Sequence, residues 1–265
     1  MKSKQNSSRY NIRVLDRAIL ILNRMSDGVP RTLAEISEDI NINTSTTYRL
    51  LMTLASHNFV TRDEQTNQYR LGLSCLELAK AYQDSNNIRR FALPELEKLR
   101  DDVKETVHLA VLDNWEVIYL EKLSGLHAIG LMGSRVGGRA PAHCTGLGKA
   151  IAAFLNPVEV RDHFEKQGLT RFTHTTITNL DEMMRHLEMV RQAGYALDRG
   201  EHENEVRCVA VPIFDIDNKV VAALSVSGPA GRMEPMENNP VLIEKARQSA
   251  ERISSQLGYV AERID

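Results

Sequence analysis

The chain has 265 residues, of which 42% are apolar and 26% charged, an ordinary composition for a globular protein of one or two domains. No stretch approaches the roughly 18 consecutive apolar residues of a membrane span, and the polar, basic amino terminus does not resemble a secretory leader. Three widely spaced cysteines form neither a disulfide framework nor a CxxC zinc motif. We therefore expect a cytoplasmic protein with no membrane contact, metal or other cofactor.

The charge is unevenly distributed along the chain. The net charge is −2, yet residues 1–72 carry ten Lys or Arg against seven Asp or Glu, so the remainder is acidic. A small basic module followed by a larger acidic one is compatible with DNA binding by the first part. Solvated surface charge produces the same asymmetry, so this feature does not stand alone.

Three short helices are predicted over the first 55 residues. Residues 14–25 repeat apolar side chains at i, i+3, i+4 and i+7. Thr32 and Glu35 have the capping-box spacing that begins a second helix, and residues 44–55 form a third. A supporting helix followed by two helices around a short turn is the helix-turn-helix arrangement. The inner stripe of the first helix comprises Leu15, Ala18, Ile19, Leu22 and Met25, and that of the third comprises Thr47, Leu50, Leu51 and Leu54.

The outer face of the third helix carries small hydroxyl groups in its first turn. Such side chains let a helix terminus approach phosphates and base edges, and the helix dipole favours the anionic backbone. Residues 59–62 and 68–72 predict a β-hairpin of the wing type. Single capped helices are common, and winged helices also mediate protein contacts, but the order of elements favours DNA. The candidate DNA-binding residues are Thr44, Ser45, Thr46, Tyr48, Arg49, Arg62 and Arg70.

The rest of the chain predicts an α+β domain. Leucines over 73–85 indicate a linker helix, and a helix over 93–103 places Pro94 in its first turn, where proline is tolerated. We expect domains at 1–72 (winged helix-turn-helix) and 89–265, joined by a linker at 73–88. Strands are predicted at 107–112, 117–120, 128–132, 206–214 and 220–227, and helices near 146–155, 157–166, 180–193 and 237–257.

Residues 142–150 are the most informative stretch for ligand chemistry. Gly146 and Gly148 permit close backbone approach where a helix begins, and free amides there suit a carboxylate. Ser225 and Ser227 alternate with apolar residues on a strand and so share one face. Three alternatives stay open: the glycines serve tight packing, Cys208 is a small core residue, or the serines satisfy neighbouring backbone groups.

Four blocks resemble the IclR family of bacterial transcription regulators. They are the recognition-helix string at 45–51, the glycine-rich stretch at 137–150, the block at 201–215 and the strand at 222–229. Together they cover roughly residues 10–260 in the family's order. The resemblance implies a winged helix-turn-helix, a linker helix and a GAF/PAS-like effector domain. It also implies dimers or tetramers on palindromic double-stranded operators.

The resemblance also implies an effector pocket, expected to bind a small carboxylate metabolite or, alternatively, an apolar or aromatic acid. Two departures flank it: Arg199-Gly200 stands where acidic residues are common, and Glu203-Asn204-Glu205 lacks a frequent glycine. The implied pocket residues are Gly146, Leu147, Asp198, Cys208, Ser225 and Ser227, with Ile129 and Met132 as candidates for an apolar wall.

An enzyme is the main alternative function. His143 and Cys144, with Asp198 and Cys208, suggest a thiol nucleophile with its base, or a metal cluster. Adjacent residues on an extended segment point in opposite directions, which disfavours a pair between His143 and Cys144. No G-x-S-x-G, H-E-x-x-H or P-loop string occurs. We therefore expect a regulator rather than an enzyme.

Overall fold

The computed structural model describes residues 12–85, 87–126, 132–233 and 239–260. The chain divides after Ser85 into two compact units. The predicted linker helix ends at Ser85, as its leucine pattern indicated, and it groups with the first unit. Each unit has its own hydrophobic core.

The first unit is a winged helix-turn-helix. Thr32 begins its second helix with the predicted capping box, because its side chain accepts from the Glu35 amide while the Glu35 carboxylate accepts from the Thr32 amide. A short strand that the sequence analysis missed joins the wing hairpin in the order β1-β3-β2. The elements are α1 Arg13–Arg24, β1 Arg31–Thr32, α2 Leu33–Asp39, α3 Thr44–Ser56, β2 Val60–Arg62, β3 Gln68–Leu71 and α4 Leu73–Ser85.

The buried face of α1 differs from the predicted stripe. Ile21 and Met25 are buried, whereas Leu15 and Ile19 are 56% and 46% exposed. The helix carries apolar residues on more than one side, and the neighbouring helices cover only the side that includes Ile21. Local periodicity therefore predicted the helix correctly but did not predict correctly which side of the helix is buried.

The second unit contains a six-stranded antiparallel sheet of order β6-β5-β4-β9-β8-β7. Its elements are α5 Asn87–Val103, β4 Thr106–Asp113, β5 Glu116–Leu123, β6 Arg139–Pro141, α6 Gly146–Ala152, α7 Pro157–Gln167, α8 Leu180–Ala193, β7 Ala196–Asp198, β8 Val206–Phe214, β9 Val220–Pro229, α9 Ala230–Met233 and α10 Pro240–Gln256.

Helices cover both faces of this sheet. One core cluster joins α5 and α10 to the sheet through residues such as Leu96, Ile253 and Leu224. The other joins α6, α7 and α8 through residues such as Ile151, Phe164 and Leu187. Because adjacent strand residues point to opposite faces, β4, β8 and β9 supply both clusters. The predicted α+β class is confirmed.

In this unit one predicted helix boundary is wrong, one predicted strand is almost wholly untested, and two short strands were missed. The first helix begins at Asn87 rather than at 93, so Pro94 lies inside it and not in its first turn. The predicted strand at 128–132 lies almost wholly outside the described residues, and Met132 is not in a strand. The short strands β6 and β7 were not predicted, because three residues are too few to show an alternating pattern.

Candidate functional site

The amino-terminal end of α3 is open to solvent. Asn43 caps it by accepting a hydrogen bond from the Thr46 amide (2.8 Å), and buried Thr47 faces the core. Of the predicted contacts on this helix, Thr44, Ser45, Tyr48 and Arg49 are exposed and Thr46 is half-buried. Within the described part of the chain, the Arg49 guanidinium has no ion-pair partner. The tip therefore presents hydroxyl groups and a cation to the outside.

The wing carries its two predicted arginines on neighbouring strands, on opposite faces of the hairpin. Arg62 on β2 hydrogen-bonds Asn67, and its guanidinium lies 5.8 Å from the centre of the Tyr69 ring. Arg70 on β3 is exposed and lies opposite Thr61 in the hairpin register. The hairpin thus holds two exposed cations on a short, rigid ladder.

A small polar cavity lies in the second unit, and the strand register assembles its floor. On β7, Asp198 lies opposite Cys208 of β8, and Cys208 lies opposite Ser227 of β9. On the other side of β9, Ser225 lies opposite His108 of β4. Four neighbouring strands therefore bring these side chains into one row at the cavity, whose volume is about 40 Å³.

His108 is the centre of the polar network at this floor. Its Nε2 lies 2.9 Å from the Ser134 hydroxyl, and its Nδ1 lies 3.3 Å from the Ser225 hydroxyl and 3.5 Å from that of Ser227. Burial, with a contribution from the Lys122 ammonium, lowers the pKa of His108 to about 3. The imidazole is therefore neutral at physiological pH, and each nitrogen can act as a donor or an acceptor.

The segment carrying Met132 and Ser134 is tied across the cavity by Lys122 of β5. The Lys122 ammonium donates to the Ser134 carbonyl (2.6 Å) and the Met132 carbonyl (3.3 Å). A neighbouring cavity of about 170 Å³ shares Ser134, His202 and Glu203 with the first. The two cavities together make a route from the polar floor toward the outside of the unit.

The two glycines at the start of α6 are each required by a different close contact. A Cβ added at Gly146 would lie 2.5 Å from the Cys208 sulfur, so the helix approaches the cavity floor as closely as glycine allows. A Cβ at Gly148 would meet the backbone of Ala142 at 2.3 Å, which is a packing requirement away from the cavity. The packing alternative therefore holds for Gly148, while Gly146 borders the cavity.

The residues of the enzyme alternative do not form a nucleophile with its base. His143 Nε2 lies 2.9 Å from the Thr170 carbonyl, while the Cys144 thiol faces the Pro141 carbonyl. Burial raises the pKa of the Cys144 and Cys208 thiols to about 12, so both are protonated at neutral pH. Among the described residues, no group of His, Cys, Asp and Glu has the geometry of a metal site.

The cavity brings together the predicted pocket residues that the structure describes. Gly146, Leu147, Asp198, Cys208, Ser225, Ser227 and Met132 all line it, and Ile129 lies outside the described residues. Sequence reasoning missed several lining residues, although a histidine inside the apolar run 107–112 was a usable signal. The missed residues are His108, Tyr119, Ser134, Thr145, His202, Glu203 and Val206.

A winged helix-turn-helix unit joined to a domain with a polar cavity defines a class of protein, the DNA-binding regulators that respond to a small ligand. Residues 14–64 match the model of the IclR helix-turn-helix domain, and residues 80–255 match that of the bacterial transcriptional regulator IclR C-terminal domain. The chain belongs to the IclR family of bacterial transcription regulators, as its sequence blocks indicated. It is a DNA-binding transcription regulator with an effector-binding domain.

Individual relatives match along nearly the whole chain. It is 34% identical over 252 residues to the HTH-type transcriptional regulator XynR of Escherichia coli K12, covering 94% of this chain and 99% of that protein. The crystal structure of the Thermotoga maritima IclR has a TM-score of 0.76 at 32% identity, with 94% and 100% of the two chains covered. An IclR homologue from Microbacterium hydrocarbonoxydans, complexed with 4-hydroxybenzoate, has a TM-score of 0.80 at 30% identity, with 92% and 98% covered.

Among the described residues, no helix combines the length and apolar character needed to cross a bilayer.

Proposed function

We propose that the chain is a cytoplasmic homo-oligomeric regulator that reads a palindromic operator through α3 and the wing, and that a small hydroxy or oxo acid in the cavity changes its affinity for that operator. The main support is that the strand register gathers the implied pocket residues around one polar cavity. The proposed DNA contacts are Thr44, Ser45, Thr46, Tyr48, Arg49, Arg62 and Arg70.

The DNA side of the proposal rests on exposure and charge. The Ser45 hydroxyl and the first amides of α3 can donate hydrogen bonds to phosphate oxygens. Arg49, one turn further along, can bind a phosphate or the edge of a guanine. Arg62 and Arg70 suit the backbone beside the groove, because wing contacts are usually to phosphates. Phosphate contacts of this kind release counterions, so affinity falls as salt rises.

The proposed DNA contacts are tested by comparing the Ser45→Ala/Arg49→Ala variant with the unaltered chain. Binding to a duplex from the intergenic region beside its own gene is measured by fluorescence anisotropy between 50 and 200 mM salt. We expect at least a tenfold loss and a salt slope reduced by about one charge. Arg185→Ala, an exposed arginine on α8, is the control and should bind normally. Unchanged binding by the double variant would overturn the assignment of α3.

The ligand side rests on the size and polarity of the cavity. By its volume of about 40 Å³, the cavity has room for roughly three water molecules. A ligand of two to four carbons fits once it extends into the neighbouring cavity. The Gly146 and Leu147 amides, which have no partner within α6, suit its carboxylate together with Ser225 and Ser227. Burial raises the pKa of Asp198, which weakens repulsion of an acid.

A thermal-shift screen tests this side with glycolate, lactate, glyoxylate, pyruvate and 4-hydroxybenzoate as probes. A ligand that binds only the folded state raises the melting temperature as its concentration exceeds Kd. We expect one or more of the small aliphatic acids to raise it and Ser225→Ala/Ser227→Ala to abolish the shift, while the exposed control Ser255→Ala keeps it. A shift by 4-hydroxybenzoate alone would replace the aliphatic acid by an aromatic one.

Oligomer formation is supported by two apolar surfaces of the first unit. On α1, Val14 and Leu15 are 63% and 56% exposed, and on α4, Leu73 and Leu76 are 73% and 66% exposed. Rows of exposed leucines on neighbouring turns mark protein interfaces more often than free surface. We infer that occupancy of the cavity shifts the population of oligomer arrangements and that α4, which connects the two units in sequence, carries the change.

A further inference from the structure

A fully buried lysine lies directly beside the proposed effector cavity. Lys149 is 0% exposed, and its ammonium donates to the Leu197 carbonyl at 2.7 Å and to the Glu201 carboxylate. It stands on α6, the helix whose first residues Gly146 and Leu147 line the cavity. Both of its partners flank Asp198, another lining residue. The lysine thus connects α6 with the segment that carries Asp198, and both of these parts line the cavity.

The turn from Leu197 to Glu201, which accepts the hydrogen bonds of this lysine, is also held by several other hydrogen bonds. The Asp198 carboxylate accepts from the amides of Gly200 (3.1 Å) and Glu201 (2.8 Å). The Thr173 hydroxyl donates to the Gly200 carbonyl, and the Thr176 hydroxyl donates to the Glu201 carbonyl, each at 2.6 Å. The Lys149 ammonium is the cation that acts most strongly on Asp198 in this group of contacts.

Stability alone does not explain the arrangement. A buried ion pair usually contributes no more to stability than a well-packed apolar pair of the same volume, because both ions lose their hydration. Here the cost is greater, since the second Glu201 oxygen is buried without a hydrogen-bond partner among the described residues. Two carboxylates, Asp198 and Glu201, share one lysine. A role at the cavity accounts for keeping such a group.

We propose that Lys149 is a positioning residue for effector binding: it ties the turn from Leu197 to Glu201 against α6 and offsets the nearby carboxylates, so that the Asp198 side chain stays in place at the cavity wall. This inference rests on the proposed function of the cavity as the effector site.

The charges around Asp198 predict the direction in which its pKa changes when Lys149 is removed. Burial raises the pKa of Asp198, and the Lys149 ammonium is the largest opposing influence. Removing the cation leaves burial opposed only by the weaker influences of the Gly200 and Glu201 amides and the Arg207 guanidinium, so the pKa of Asp198 must rise further. Other titratable or charged groups near Lys149 and Asp198 include Tyr119 on β5, His143 and Cys144 before α6, His186 on α8, Arg199, His202 and Glu203 in the turn, and Arg207 and Cys208 on β8.

The first experiment follows the Asp198 carboxyl by ¹³C NMR in the full-length protein, with Asp198→Asn to assign its signal. In Lys149→Met we expect the titration midpoint to rise by at least one pH unit. In Glu201→Gln it should stay at the unaltered value or fall, because an anion is lost. Lys245→Met, on α10, is the control and should leave it unchanged. An unmoved midpoint in Lys149→Met, or an equal rise in both variants, would overturn the proposal.

The second experiment remains decisive if Lys149→Met does not fold. Lys149→Met/Glu201→Met removes both members of the buried ion pair, and the Asp198 carboxylate keeps its hydrogen bonds from the Gly200 and Glu201 amides, so the variant should fold. We expect hydrogen exchange at the Gly200 and Glu201 amides to accelerate at least tenfold, while Val209 and Leu224 in the sheet keep their protection. Retained protection of the turn, or equal acceleration in the sheet, would count against positioning. Neither experiment uses an effector, so the metabolite screen can fail or succeed independently.

Discussion

At the scale of single residues, Gly146 lies so close to Cys208 that a side chain at Gly146 would meet the Cys208 sulfur. The missing Cβ leaves room for the sulfur, and both residues belong to elements packed in the core. Protein interiors are packed nearly as densely as organic crystals, so a methyl group inserted here has nowhere to go. This contact therefore sets both the width of the cavity and part of its stability.

Gly146→Ala should lower the free energy of unfolding of the second unit by about 1–3 kcal/mol, the usual cost of overpacking. The loss should be smaller in a Cys208→Ala background, because that change removes the sulfur the new methyl group meets. Urea unfolding followed by the fluorescence of Trp115, the single tryptophan, measures both. Gly231→Ala, where nothing lies within 4 Å of the added Cβ, is the control. Equal losses in both backgrounds would contradict the contact.

At the scale of elements, an ion-pair network joins the helices and wing sheet of the first unit. Arg31 on β1 is buried and pairs with Asp27 after α1 and with Asp39 at the end of α2. Arg24 of α1 pairs with the same two carboxylates. Four side chains thus connect three elements that the chain separates by short turns. The network holds α2 in the orientation that α3 needs.

Asp27→Asn tests this network through its pH dependence. Hydrogen bonds from Arg31 hold the pKa of Asp27 well below its ordinary value. A depressed pKa contributes stability that is present above the unfolded value of about 3.9 and lost as pH falls through the folded value. The variant should therefore melt at a lower temperature at pH 7, with the difference narrowing below about pH 4.

Calorimetry of the full chain, combined with Trp115 fluorescence, separates the two units, because Trp115 reports only on the second. Glu64→Gln, an exposed carboxylate in the wing turn, should change neither transition. A difference between Asp27→Asn and the unaltered chain that stays constant down to pH 3 would mean that the carboxylate charge is not what the network uses.

At the scale of the whole molecule, we propose that the exposed leucines of α1 and α4 determine how many copies of the chain act together. An operator with two half-sites requires two recognition helices at a defined spacing, so a monomer loses most of its affinity. The surfaces involved belong to the first unit, and their residues include Leu15 and Leu76. Leu15, which local periodicity assigned to a core stripe, is thus available to contact a second copy, as is Leu76 of α4.

Leu15→Glu and Leu76→Glu should each shift the protein toward monomer in analytical ultracentrifugation and weaken operator binding at least tenfold. A carboxylate placed at an apolar interface is desolvated without a partner, which costs several kcal/mol. Val158→Glu, on an exposed position of α7, is the matched control and should keep both properties. Normal assembly by both leucine variants would assign the interface elsewhere.

The sequence by itself determined what depends on neighbours along the chain. Caps at Thr32, apolar periods in α1 and α10, and the strand pair β8 and β9 are local signals, so these elements were predicted within a few residues. The resemblance to IclR regulators then supplied the pocket residues that the structure gathers around the cavity. The caps, the apolar periods and the strand pair need only the order of residues and the geometry of a helix or strand.

Only the tertiary structure decided which side chains meet across long separations. His108 reaches Ser225 because β4 pairs with β9, and Lys149 reaches Glu201 because α6 packs beside β7. Pro94 lies within a helix that begins earlier than its local pattern indicated. Burial and strand register depend on surfaces formed by distant segments, and no local pattern encodes which distant surface will cover a given side chain.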